Sequence, residues 1–342
     1  VAKCIYWPTV TLNSDKPEND GTATLEHIIP FAVGGSDSLS TMDVCKKANN
    51  DLGSEVDAPF CNLLPIAIKR HELQIPGQSG KIPDIVWNAI SDRGARGRVT
   101  IHPDRSVDFE LLPDVDTRAG NIVVRGGADR VKSIIEGLLR GAEKRGETLH
   151  STDGAILTSL DDCLQVAEVE IVDKVRCSVQ YFDHEAWVRG LMKIALGAGH
   201  VLLGPEWTFS SDGDLIRQYV VNPRANWPKR QPRGYIYGEW PRSLRIPLGK
   251  TKEVRDNMYH TVAIPPLPDG KELYIAISLF GGVGVPEAFF SIGRRAGRLT
   301  VQGELLPAHL PIGFRVNPRN RNVEIITFGD ADARVARMGP SR

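Results

Sequence analysis

One short stretch holds residue types that could do chemistry together. It runs Glu26-His27-Ile28-Ile29-Pro30, then Gly34-Gly35, then Cys45-Lys46-Lys47-Ala48-Asn49-Asn50-Asp51-Leu52-Gly53. An imidazole titrates near about 6.5, so His27 could take a proton from water at neutral pH. Glu26 offers hard carboxylate oxygen to a hard cation, and Asn49 could add a carbonyl oxygen. A divalent ion held there would bind a phosphate oxygen and neutralise a leaving alkoxide, while His27 activates the attacking water. A blander account stays open at this point. A Glu-His pair at a strand end can be a packing pair, Asn49 and Asn50 can be helix-surface residues, and two glycines can be only a turn.

Bringing those groups together requires a strand, a loop and a helix. Residues 24–29 read as β-like, and Pro30 should stop them. A strand shows alternate residues to opposite faces, but a frayed end near Pro30 could twist Glu26 and His27 toward one site. Gly34 and Gly35 mark a loop. A helix is expected from Asp43, a good N-cap, through Asn49, with Gly53 ending its first part.

Farther along, residues 98–101 and 106–111 could pair as a hairpin. Apolar residues at 131, 134, 135, 138 and 139 predict a helix over 128–144. Asp183 should cap a helix over 184–196, with Trp187, Leu191, Ile194 and Ala195 buried. Residues 212–219 suggest another short helix. From His260 onward strands dominate, with 274–279 and 323–328 the clearest. The expected class is α+β, divided at 1–62, 63–159 and 160–342.

The chain has 342 residues, 41% apolar and 25% charged, with 33 Gly and 23 Pro. Those proportions suit a globular protein rich in turns. No apolar run reads as long enough to cross a membrane, and no Sec-type leader is expected. The five cysteines, Cys4, Cys45, Cys61, Cys163 and Cys177, are odd in number and show no close pair. A disulfide framework is therefore not expected, and the cytoplasm is the default compartment. The 42 cations balance the 42 anions, so overall charge does not favour a nucleic-acid partner. Local charge differs. Residues 221–255 carry nine cations against two anions. The cations include Arg224, Lys229, Arg230, Arg233, Arg242 and Arg245, interleaved with Trp227, Tyr235, Tyr237 and Trp240. Such a mixture suits phosphate contact and base stacking, or equally a solvated loop anchored by its rings. Arg294, Arg295, Arg298, Arg315, Arg319 and Arg321 could extend the same face.

The combined pattern of Cys4, Glu26 to Pro30, Gly34, Gly35, Val44, Cys45, Asn49 and Gly53 resembles the HNH endonuclease family. The likeness covers roughly residues 4 to 60. It implies a ββα-metal module followed by a larger mixed region rich in antiparallel strands. It also implies hydrolysis of DNA phosphodiester bonds, with His27 as general base and Glu26 and Asn49 as ligands of Mg²⁺ or Mn²⁺. Lys46, Lys47 and the basic stretch would contact the nucleic acid. Two departures stand out. The family's zinc clip uses two C-x-x-C pairs, but here Trp7 and Ala48 replace the second cysteine of each. Two thiolates are too few for structural zinc, so none is expected, and Trp7 could fill the space against Ala48. The middle Asn of the family name is also missing. Ser40 or Thr41 stands there, and either hydroxyl could make a local backbone bond. A metal-dependent DNA endonuclease is thus the leading expectation. Its C-terminal part would position substrate and could mediate self-association. A DNA-binding module that kept the fold without turnover is the alternative.

Overall fold

The computed structural model describes residues 2–12, 21–91, 94–112, 114–116, 123–125, 128–151, 153–166, 175–178, 182–222, 234–235, 240, 252–265, 272–294, 311–327 and 329. It is mixed α+β with antiparallel sheets. The chain forms two compact units. One combines Val1–Ile82 with Tyr181–Arg342, and the other is Pro83–Gln180. The expected three-part division is corrected by this arrangement. Residues 1–62 do not own a separate core. Their buried side chains, among them Ile5, Ile28, Val44, Leu52 and Phe60, share one apolar cluster with Trp187, Leu191, Ile194 and Phe290.

In the larger unit, strand β1 (Ala23–His27) pairs antiparallel with strand β2 (Ser40–Cys45). Helix α1 (Lys46–Leu52) follows directly, with Cys45 at its N-cap. The expected helix start at Asp43 is therefore corrected. Asp43 lies in β2, and its carboxylate meets His200 Nε2 at 2.9 Å. Gly53 is the C-cap of α1 and so ends the first part of the helical run, as expected. It opens a π-turn, Gly53–Asp57, which leads into Ala58–Cys61. The helix Leu64–Leu73 begins two residues beyond that segment's C-cap, Asn62.

The element that completes the core is the helix His184–Leu203, called the core helix below. Asp183 caps it by accepting from the Ala186 N–H, as its sequence position predicts, and it runs seven residues past the expected end at 196. It also corrects the expectation that no apolar run could span a membrane. The helix passes by length and composition, but 78% of its most apolar window is buried inside the protein. Burial of this kind is what a central helix of a folded unit shows. Gly190 marks the closest approach. A Cβ there would lie 2.1 Å from the Phe60 ring, so only glycine lets the N-terminal module pack against the helix. Phe60 in turn stacks on Trp187 with centroids 5.6 Å apart.

A six-stranded antiparallel sheet completes this unit. Its order is Gly234–Tyr235, Ala288–Arg294, Glu272–Ser278, His260–Ala263, Pro311–Val316 and Val323–Thr327. The strands expected at 274–279 and 323–328 are present with boundaries shifted by a residue or two. In the smaller unit, Val175–Ser178, Ile85–Ser91, Arg96–Ile101 and Val107–Leu111 form a four-stranded antiparallel sheet. Ile101 opposite Val107 and Arg98 opposite Glu110 give the hairpin that the sequence suggests. The helix Ala128–Arg145 matches its apolar spacing.

Candidate active site on the β1–β2 hairpin

Pleating decides where the two chemically expected residues of β1 go. The ladder has a bulge between Thr24 and Glu26, after which Glu26 faces Thr41 and His27 faces Ser40 without interruption. Alternation therefore holds to the end of the strand, and the two side chains leave on opposite faces.

His27 leaves toward the loop. Its Nε2 lies 2.7 Å from Asp37 Oδ1, and the Asp37 side chain is 76% exposed against 15% for His27. When Nε2–H donates to Asp37, Nδ1 retains its lone pair and is the basic nitrogen. The Asp37 loop is held by Ser40, whose hydroxyl donates to the Asp37 carbonyl at 2.5 Å. Thr41 Oγ1 accepts from the Asp43 N–H at 3.1 Å. Both hydroxyls thus make the local backbone bonds expected where the family has Asn. The loop's glycines are required by crowding. Gly34 has φ 98° with Pro318 against it, and a Cβ on Gly35 would fall 1.8 Å from the Ile29 carbonyl oxygen.

A guanidinium reaches this face from a distant part of the chain. Phe31 sits 5.2 Å from the His27 ring, and the Arg321 guanidinium carbon lies over Phe31 at 3.2 Å from its centroid. Arg321 also reaches the carbonyls of Gly35 and Pro76 at 3.4 and 3.5 Å, which are long contacts. Partial burial lowers Arg321 from its usual value, and the nearby Asp37 charge opposes that shift. The loop is further tied to the sheet by His260, whose buried ring lies 2.8 Å from the Val33 carbonyl and accepts from the Phe280 N–H. Burial pushes His260 down to about 4, so its ring is neutral near pH 7.

Glu26 leaves in the other direction and is 3% exposed. Its Oε1 is in direct ion-pair contact with Lys193 Nζ on the core helix and accepts from the Tyr6 hydroxyl at 3.3 Å. Lys193 also reaches Asp57 Oδ2 at 2.6 Å, so one ammonium bridges two carboxylates. Burial raises Glu26, and Lys193 opposes the shift. Burial alone would lower Lys193, but Asp57 and Glu26 outweigh it and hold the ammonium above its ordinary value. The π-turn is what presents Asp57 here. Arg189, one helical turn before Lys193, grips the same turn through the Glu55 carbonyl at 3.3 Å.

Asn49 does not join either group. Its amide nitrogen donates to Thr24 Oγ1 at 3.1 Å and to the Leu25 carbonyl at 2.9 Å, so it fastens α1 across the bulge in β1. The expected trio of Glu26, His27 and Asn49 is therefore corrected. A strand face separates His27 from Glu26, Glu26 is paired with Lys193, and Asn49 is held at β1 through its amide nitrogen. The divalent ion implied by the resemblance does not fit that pair. Glu26 already faces an ammonium, and among the described residues no cluster of three or more His, Cys, Asp or Glu suits a metal ion.

Around the family's zinc position, Cys4 and Cys45 are fully buried thiols, and the Cys45 N–H donates to Cys4 Sγ at 3.4 Å. Burial pushes Cys45 up to about 11. Ala48 is buried, Trp7 is half-buried, and the Lys47 ammonium lies 5.2 Å from the Trp7 ring centroid. Lys47 also pairs with Asp51 at 2.7 Å, and Lys46 is exposed. Arg224, Lys229, Arg230, Arg233, Arg242 and Arg245 lie outside the described residues, as do Trp227 and Tyr237. Of the two readings of the basic stretch, Trp240 fits the one in which rings anchor it to the core: it is 2% exposed, and its indole N–H points to the Ile277 and Ala288 carbonyls. The expectation that Arg315 extends a basic face is corrected, since it is buried and pairs with Glu324. Sequence reasoning missed Asp37, Asp57 and Lys193. Only Asp37, two residues past the glycine pair, left a local signal.

With this geometry established, comparison with known proteins gives one finding. Residues 14–64 match the HNH endonuclease family. No curated protein and no solved structure matches the chain. The N-terminal segment is an HNH domain, and its function is of the nuclease or DNA-binding kind, with DNA as substrate or partner.

Proposed function

We propose that the HNH domain hydrolyses DNA phosphodiester bonds with His27 as general base. The observation that carries this reading is the 2.7 Å contact between His27 Nε2 and the exposed Asp37 carboxylate. Asp37 fixes the tautomer, which leaves Nδ1 to take a proton as water attacks phosphorus and the 3′-oxygen departs. The Arg321 guanidinium, over Phe31, supplies positive charge beside that centre and suits a phosphate oxygen. Lys46 and the cations from Arg224 to Arg245 are proposed to hold the DNA backbone. No step is assigned to a divalent ion, because Glu26 already faces the Lys193 ammonium.

The test is cleavage of supercoiled and linear DNA across Mg²⁺, Mn²⁺, Co²⁺ and Ni²⁺, beside His27→Ala. Cutting that disappears with the imidazole supports the reading. An unchanged rate in the variant overturns it. One observation favours a second reading, a DNA-binding module without turnover: the expected metal carboxylate Glu26 is closed by Lys193. Salt-dependent DNA affinity with no cutting under any metal would select it.

A further inference from the structure

Two acids and one ammonium form a buried cluster where the N-terminal module meets the core helix. Glu26 and Lys193 are both nearly sealed from solvent, with side-chain exposures of 4% and 3%. Asp57 completes the cluster and carries one buried oxygen, Oδ1, with no hydrogen-bond partner. The Tyr6 hydroxyl is the remaining oxygen at the site. One oxygen from each carboxylate, Glu26 Oε1 and Asp57 Oδ2, therefore contacts the one nitrogen, and the Tyr6 hydroxyl stands behind Glu26. Such a set of hard oxygens would suit a divalent ion if its centre were free. The spacing suits one too, since Asp57 Oδ2 lies 2.6 Å from the nitrogen, near the upper end of Ca²⁺–oxygen distances of about 2.3–2.6 Å.

We propose that Lys193 is the built-in cation of this site, so that the wild-type chain binds no divalent ion at Glu26, and that removing the ammonium alone converts the cluster into a divalent-cation site. The argument is one of charge. Two carboxylates and one ammonium leave a single negative charge inside the protein. An ion entering beside Lys193 would meet a buried positive charge at the same oxygens, and the ammonium cannot leave without breaking both pairs. Without Lys193, the buried Glu26 and the partly buried Asp57 carboxylates lose their shared counterion, which favours protonation of Glu26 or recruitment of a cation. The Asp57 oxygen that lacks a partner then becomes a ligand. This holds whether or not the chain cuts DNA, so a failed cleavage assay does not touch it.

The experiment is Mn²⁺ titration of the full chain, read by electron paramagnetic resonance and by the shift in Tm. In the wild type, Glu26→Gln should leave Mn²⁺ binding unchanged. Lys193→Met should gain one Mn²⁺ per chain, at least about tenfold tighter than any wild-type site, and Tm should rise with added Mn²⁺. That gain should vanish in Lys193→Met/Glu26→Gln. A wild-type Mn²⁺ site abolished by Glu26→Gln overturns the proposal, and so does a folded Lys193→Met chain that gains no ion. If Lys193→Met does not fold, the wild-type and Glu26→Gln titrations decide the matter alone.

Discussion

The two faces of the β1–β2 hairpin carry neighbouring residues to opposite ends. On the outer face His27 keeps a basic nitrogen and leans on a carboxylate that is mostly in water. On the inner face Glu26 is removed from water and closed by an ammonium from the core helix. One residue of separation makes the difference, because a strand turns successive side chains to opposite sides. The outer face carries the proposed chemistry, whereas the inner face holds the module onto the rest of the unit. The pleat of a five-residue strand separates the two.

Variants on each face should confirm or break that separation. The largest effect is expected inside. Lys193→Met leaves Glu26 and Asp57 without their counterion and should destabilise metal-free protein by about 3–5 kcal/mol in urea unfolding. A loss below about 1 kcal/mol would mean the inner face is not what fastens the module. Outside, His27→Ala should lower DNA cleavage at least about a hundredfold while shifting stability by under about 1 kcal/mol. Plasmid nicking beside thermal unfolding checks both halves, and a large loss of Tm would show that His27 is structural after all.

The loop that carries the outer site should also respond to acid. His260 is held near pKa 4, below the unfolded value of about 6.5, so its neutral ring contributes stability that is fully present above about pH 6.5. That stability should fade as pH falls from about 6.5 and be gone below about 4, amounting to roughly 3 kcal/mol. His260→Gln should flatten this part of the pH–stability curve, and an unchanged curve would remove His260 from the account. The smallest effect belongs to Asp37→Asn. With the carboxylate largely exposed, stability should move by no more than about 0.5 kcal/mol. Cleavage should slow by roughly tenfold with a shifted pH profile, because the ring loses the group that sets its tautomer.

Much of this was legible in the sequence, and the exceptions share a cause. Glu26 to Pro30 with Gly34-Gly35 marked the hairpin, since turn glycines and a strand-ending proline are local signals. Asp183 marked the core helix for the same reason. The separation of Glu26, His27 and Asn49 was not legible, because the expected twist at the strand end is absent and the ladder stays regular through His27. Lys193 read as one cation in an apolar helix, and nothing local pairs it with Glu26. Arg321 sits at a hairpin turn of the distant sheet, so its place over Phe31 depends on tertiary packing alone. Asp43 read as a helix cap because its partner, His200, lies 157 positions away.

Lys193 follows Asp57 by 136 positions in the chain. On the ribosome, Glu26 of the hairpin and Asp57 of the π-turn therefore emerge long before the lysine that neutralises them, and Phe60 emerges long before the glycine that makes room for its ring. The hairpin and the turn that follows it thus stay without their counterion and their packing partner until the core helix has been translated.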